Sequence, residues 1–529
     1  MPLWRFALIA ISLCAILTIA NSRSAFAQDQ TNVKPSTAWA AAAIAHAHNM
    51  QIFRDPDDSR QRTPRVIPRF ELNSDSHGIV ATDQPAGATI TRNNPFFQNL
   101  GTNQRTCFTC HQPQTGWSIS AASAKTRYAM SHGADPLFRL VDGATCPSDD
   151  VSTPAAKRNA YSLVVDKGLI RIGLAMPANS QFEVTAVSDP YNCTTNSTTG
   201  LTSQTSGIVS VYRRPLPSTN LNFLSTIMWD GREPSLAHQA LDATLTHGQG
   251  NNPGPTTAQQ NQIVEFETGI YTSQIFDNGA HLLIAPASNL TVTEPIPNVD
   301  PIQCTQAIVA QTGGPFALAE LVPAFFIGIN DPLGLNPCGT AFTSNIFNLY
   351  TAWETLHGKD SVTNYRQSVA RGEIVFNTKS INITGVAGLN DVLNEDSIPG
   401  SCGTCHDTPN VGNHSVKAPL NIGVTAADPG PPSLDILGLP IFTLHCIAGP
   451  LTGQTFQVTD SGRALISGNC ADIGKIKGPI LRGLAARAPY FHNGSAATLL
   501  DAVNFYDQRF NIGFTDQEKQ DLVNFLETL

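Results

Sequence analysis

Charged side chains are scarce in this 529-residue chain, at 14%, and there is no excess of base, with a formal charge of −9. Such a chain lacks the positive surface that nucleic acid requires. Apolar runs are also few. The one at the start, Phe6 to Ala20, has 15 residues, short of the ~20 that span a bilayer. No later segment is expected to cross a membrane. Gly (40) and Pro (36) are plentiful where charge is not, which points to a loop-rich protein and not to long solvated helices. An apolar fraction of 41% still supports packed cores, and the length allows two or three domains.

The apolar start follows Arg5 and ends in A-F-A before Gln28, the small-x-small form of a signal peptidase site. Residues 1–27 are therefore expected to be a cleaved signal peptide, giving a periplasmic protein with no span. Cleavage removes Arg5 and Arg23, so the charge moves to −9 − 2 = −11. Cys14 leaves with the signal, and four more cysteines belong to the motifs below. Six remain: Cys146, Cys193, Cys304, Cys338, Cys446 and Cys470. An even number in an exported chain predicts disulfides. Pairing of neighbours (146–193, 304–338, 446–470) is one of fifteen possibilities.

Two segments carry recognisable chemistry. R-T-C-F-T-C-H holds Cys107, Cys110 and His111, and S-C-G-T-C-H holds Cys402, Cys405 and His406. In C-x-x-C-H the thiols add across haem vinyl groups and the adjacent His ligates iron. Two covalently bound haem c groups are expected, with His111 and His406 as proximal ligands. Methionine is sparse: Met50, Met130, Met176 and Met228 remain without Met1, and none follows Cys402. The second motif's own segment thus cannot supply Met, the ligand that raises haem potential. Its downstream alternatives are His414, His445, His492, Tyr490 and Tyr506.

Residues 366–377 read as a helix with Val369, Val375 and Phe376 at core positions. Near the end, Thr515 and Glu518 form a capping box, and Leu522, Val523, Phe525, Leu526 and Leu529 mark an apolar face. A first and a last helix crossing beside the haem is the cytochrome c plan. The expected fold is mainly α: two cytochrome c-like haem domains, 28–350 and 351–529, with long loop-rich, disulfide-stapled insertions. In the Ala-rich segment 36–50, His46 and His48 are two apart and share no helix face, which argues against a metal site there.

Between the haem motifs lies I-M-W-D-G-R-E-P-S-L-A-H-Q-A-L (227–241). After the second comes K-G-P-I-L-R-G-L-A-A-R-A-P-Y-F-H-N-G-S-A-A-T-L-L-D-A-V-N-F-Y (477–506). These segments resemble the bacterial di-haem cytochrome c peroxidase family, including its MauG branch. The resemblance covers the haem sites and most of 360–529. It implies that Trp229 lies between the haems and relays electrons, and that Gln239 lines the distal pocket of the first haem. The family's distal Glu, which helps cleave the peroxide O–O bond by proton transfer, falls on Gln249. His247, two residues earlier, is the substitute titratable group.

The resemblance also places the second haem's axial ligand at Tyr506, which is Met in typical peroxidases and Tyr in the MauG branch. His492 is the competitor. A distal His sixteen residues after the first proximal His falls on Arg127, and the nearest His is His132. Unless His132 serves, the first iron is open to peroxide or oxygen. Calcium between the domains is doubtful: Pro489 fits one element, but the other falls on Arg214, and arginine cannot ligate calcium.

The leading expectation is a periplasmic di-haem oxidoreductase. It would reduce hydrogen peroxide with electrons from a small c-type cytochrome or blue-copper protein, passed from haem 2 to haem 1. One alternative is a MauG-like or oxygenase-like oxidase acting on an organic or protein substrate. The other is a di-haem electron-transfer cytochrome without catalysis.

Overall fold

A computed structural model describes residues 64–191, 193, 207–224, 226–283, 314–315, 318, 349–406, 418–427 and 430–529. The expected signal peptide, His46, His48, Met50, His414 and the 304–338 pairing lie outside these residues.

The longer helices are α1 (Ala121–Ser131), α2 (Pro154–Ala160), α3 (Ser162–Lys167), α4 (Leu236–Thr246), α5 (Thr257–Thr268), α6 (Ser361–Thr378), α7 (Leu499–Phe510) and α8 (Asp516–Glu527). Helix α6 starts where the Asp360 side chain accepts from the Thr363 amide. Helix α8 starts at the Thr515–Glu518 capping box. The two cross, as expected for a first and last helix, burying Val369, Phe376, Leu522 and Phe525 in one core. Gly372 permits the close approach: a Cβ there would lie 2.0 Å from the Asp521 carbonyl oxygen. Asp521 also accepts from Arg371 at 2.8 and 2.9 Å, which ties the crossing together.

The chain is mixed α/β, and the expectation of a mainly helical fold is corrected. The strands come from segments that alternate, such as F-E-L-N-S (Phe70–Ser74), or are β-branched, such as I-V-S-V-Y-R (Ile208–Arg213). Four antiparallel strands, Phe70–Ser74, Gly78–Asp83, Tyr271–Asp277 and His281–Leu282, form one sheet in that order. Ile170–Ala175 pairs with Ile208–Arg213. A third sheet joins Phe182–Ser188 to Ile441–Cys446 and Thr455–Val458, so one ladder spans both sides of residue 350.

Disulfides Cys146–Cys193 and Cys446–Cys470 are formed as expected. Among the described residues no helix is long and apolar enough to cross a membrane.

Candidate functional site

Both C-x-x-C-H segments fold into the same tight turn. Thr109 Oγ1 accepts from the Thr106 amide at 3.0 Å, and Thr404 Oγ1 accepts from the Ser401 amide at 3.0 Å. The His111 amide reaches the Cys107 carbonyl at 3.0 Å, and the His406 amide reaches that of Cys402 at 3.0 Å. The working pattern is therefore [ST]-C-x-T-C-H, with a hydroxyl on each side of the first Cys closing the turn. None of the four cysteines is in a disulfide. Burial pushes the thiols of Cys402 and Cys405 up to about 12, and those of Cys107 and Cys110 also upward. In the absence of a bound group they are neutral thiols.

His111 is oriented by the loop that follows it. In Q-P-Q-T-G-W the chain reverses through Gly116 (φ 59°) and Trp117 (φ 56°). The buried Trp117 indole donates to Thr82 Oγ1 at 2.8 Å, and the Trp117 carbonyl lies 3.0 Å from His111 Nδ1. A ring held through Nδ1 keeps Nε2 for a metal. Burial depresses His111 to about 4, so it is neutral, the form that ligates.

The cavity at His111 is also lined by Gln239, His247, Asp142, Arg105 and Glu267. His247 Nδ1 lies 2.6 Å from Asp142 Oδ2. The other Asp142 oxygen pairs with Arg105, whose guanidinium also donates to the Pro136 and Leu137 carbonyls at 2.8 and 2.7 Å. Burial raises the Asp142 carboxyl, but the Arg105 charge and the His247 hydrogen bond outweigh it and hold the pKa below the usual range. Asn103 Nδ2 fixes the His247 carbonyl at 2.7 Å. Sequence reasoning missed Asp142 and Arg105.

Gln249 is not brought in. It is exposed at φ 51° outside the cavity wall, and its carbonyl accepts from Thr102 Oγ1 at 2.9 Å. Arg127 is bound to Asp135 at 2.6 Å and donates to the Thr109 carbonyl at 2.7 Å, a brace for the C-x-x-C-H turn. His132 is exposed at the end of α1 and is not part of the cavity wall.

The second cavity is lined by Cys402, Cys405, His406, Tyr506, Tyr490 and His492. The rings of Tyr506 and His406 lie 6.5 Å apart at 89°. Tyr506 comes from α7, and burial pushes its hydroxyl well above the ordinary phenol value. Tyr490 is committed to the Leu484 carbonyl at 3.1 Å. His492 instead lies edge-on to Trp229, 6.1 Å between centroids, with Nε2 3.6 Å from Asp460. Burial depresses it to about 4. His445 is on the Ile441–Cys446 strand, at Thr455, outside this wall.

Trp229 belongs to both cavity walls, as do Arg214 and Lys477. Its indole donates to the Arg214 carbonyl at 2.7 Å. The neighbouring Asp230 pairs with buried Arg213, which also grips Asp460 at 2.6 and 2.9 Å. The W-D-G-R segment is thereby locked to the C-terminal half.

The residues fit haem c. The four thiols are outside any disulfide, His111 is held through Nδ1, and the cavity walls are largely apolar. Three buried basic side chains, Arg214, Lys477 and Arg487, line the second cavity, and among the described residues none pairs with a carboxylate. Buried charges are costly alone, and the carboxylates of a bound haem would offset them. The residues do not fit calcium: the Arg214 guanidinium donates to the Pro489 carbonyl.

Comparison with known proteins agrees with this chemistry. The chain is similar in part to cytochrome-c peroxidases. It is 33% identical over 141 residues to cytochrome-c peroxidase IdrP2 of Denitromonas iodatirespirans, covering 25% of this chain and 36% of that protein. Cytochrome-c peroxidase IdrP1 of the same organism is 40% identical over 81 residues, 13% of this chain and 22% of that protein. Cytochrome c551 peroxidase of Nitrosomonas europaea is 29% identical over 150 residues, 27% of this chain and 36% of that protein. The chain thus spans about a third or less of the length of these curated relatives. No family model matches it.

Proposed function

We propose that this protein is a periplasmic di-haem c peroxidase that reduces hydrogen peroxide with electrons from a small carrier protein. The observation that carries the reading is the shared wall: two C-x-x-C-H turns open into separate cavities, and Trp229 lines both. Cys107, Cys110 and His111 hold one haem, and Cys402, Cys405 and His406 the other. Bound haem supplies iron that exchanges electrons and activates peroxide.

The chain's residues have distinct tasks. Trp229 offers an aromatic step between the cavities, fixed by its hydrogen bond to the Arg214 carbonyl. Gln239 lines the first cavity from α4 and orients peroxide there. His247 takes a proton from one peroxide oxygen and returns it to the other, the task of a general acid–base. Asp142 fixes the tautomer of His247 by accepting from Nδ1 at 2.6 Å, so that Nε2 exchanges the proton. Tyr506, whose ring lies 6.5 Å from that of His406, would help His406 hold the second haem, and His492 is a packing and electrostatic neighbour of Trp229.

The test is steady-state oxidation of reduced cytochrome c by peroxide, with wild type and Trp229→Phe. Turnover well above that of free haem is expected in the wild type, and a clear loss in the variant. Wild-type turnover no faster than free haem overturns the reading.

Tyr506 opposite His406 favours a second reading, a MauG-like oxidase of an organic or protein substrate. Peroxide added without a donor then gives a long-lived optical change in place of rapid return to the resting spectrum. A plain electron-transfer cytochrome requires both irons six-coordinate and low-spin. A high-spin ferric EPR signal at rest excludes it.

A further inference from the structure

We propose that the Arg214 guanidinium is a built-in cation in the place of a metal ion, so that this chain holds the junction of its haem cavities without calcium.

Arg214 is 7% exposed and touches three motif segments at once. Its amide donates to the His492 carbonyl at 2.7 Å, within P-Y-F-H-N-G. Its carbonyl accepts from Trp229 Nε1 at 2.7 Å, within W-D-G-R. Its guanidinium donates to the Pro489 carbonyl from Nη1 and to the Ile119 carbonyl from Nη2, the latter just beyond the first C-x-x-C-H loop. Backbone carbonyls from two distant segments therefore converge on a positive charge. Such oxygens are also what a hard divalent cation gathers. Here they meet a cation that is part of the chain.

The surroundings exclude a second cation. Among the described residues Arg214 has no carboxylate partner, and Asp460, the nearest acidic member of the network, is committed to Arg213. Arg487 lines the same cavity, buried, and burial followed by the Arg487 charge depresses Lys477 there to about 7. A divalent ion at the Pro489 and Ile119 carbonyls would meet the Arg214 guanidinium that already donates to both. Burial, followed by the charge of Arg487, depresses Arg214 to about 9, which leaves it charged at neutral pH.

Arg214 is thus a positioning residue for Trp229, and its test does not need peroxide turnover. The holoprotein is heated with about 1 mM calcium chloride or with EDTA. A bound ligand raises Tm, so the expected difference is below about 1 °C. A saturable calcium complex that raises wild-type Tm overturns the proposal.

Arg214→Asn is then titrated with terbium, whose luminescence is sensitised by a nearby indole such as Trp229. The vacated carbonyls are expected to give a saturable signal that the wild type lacks. A folded variant without that signal also overturns the proposal. Should Arg214→Asn not fold, Arg214→Lys and Arg214→Gln decide. The lysine is expected to keep near-wild-type Tm and the resting optical spectrum, and the glutamine to lose stability. Equal loss in both means the charge is irrelevant and the proposal fails.

Discussion

Asp142 holds His247 by a 2.6 Å hydrogen bond on the wall of the cavity that contains His111. The carboxylate is itself fixed by Arg105, so the imidazole is aimed by a buried ion pair. The arrangement provides a titratable group where Gln249 does not reach.

Asp142→Asn removes the charge but keeps the shape, and Arg105 retains its carbonyl partners at Pro136 and Leu137. Peroxide-dependent kcat/KM is expected to fall roughly 10- to 100-fold, as for other outer-shell partners. His247→Gln should cost about 100-fold or more. The resting optical spectrum should be unchanged in both. Wild-type kinetics in Asp142→Asn would refute the positioning role.

Tyr506→Phe removes the hydroxyl from the ring that lies 6.5 Å from His406. The optical and EPR signature of the second haem should change while that of the first is retained. His492→Gln should leave both ligation signatures as they are. The opposite result reverses the assignment.

Glu267 lines the first cavity and is buried on α5, which raises its pKa to about 7. The unfolded carboxyl titrates near 4.5, so between about pH 4.5 and 7 the native state binds more protons. Stability therefore falls as pH rises through this window and stays lower above it. Glu267→Gln abolishes the cost, and its Tm should exceed wild type at pH 8 but not at pH 4.

Gly372→Ala places a methyl 2.0 Å from the Asp521 carbonyl oxygen. Helices α6 and α8 must move apart, at a cost of roughly 1–3 kcal/mol or more. Denaturant unfolding should show a lower midpoint with little change in slope. A midpoint equal to wild type would mean that the helices do not meet there.

The haem turns and the terminal helices were legible because their information is local. C-x-x-C-H is six residues with its preceding cap, and the Thr515–Glu518 box spans one helical turn. Cys146–Cys193 and Cys446–Cys470 followed from neighbour pairing. Asp142 was not legible because it meets His247 across 105 residues and carries no motif of its own. Gln249 sits ten residues past Gln239, but α4 ends at Thr246 and the left-handed turn at Gln249 points it away. The strands were missed because the helical haem plan governed the reading, while the segments before residue 283 carry their own alternating pattern.

The strand Phe182–Ser188 closes its ladder on Ile441–Cys446, with the 252 residues 189–440 between them. That strand edge therefore stays uncovered until a further stretch of nearly half the chain has been delivered. Cys107 and Cys110 emerge long before that edge is covered. A chain-holding chaperone during that interval, and haem attachment at the first motif before the last strands arrive, would spare it from pairing with its neighbours.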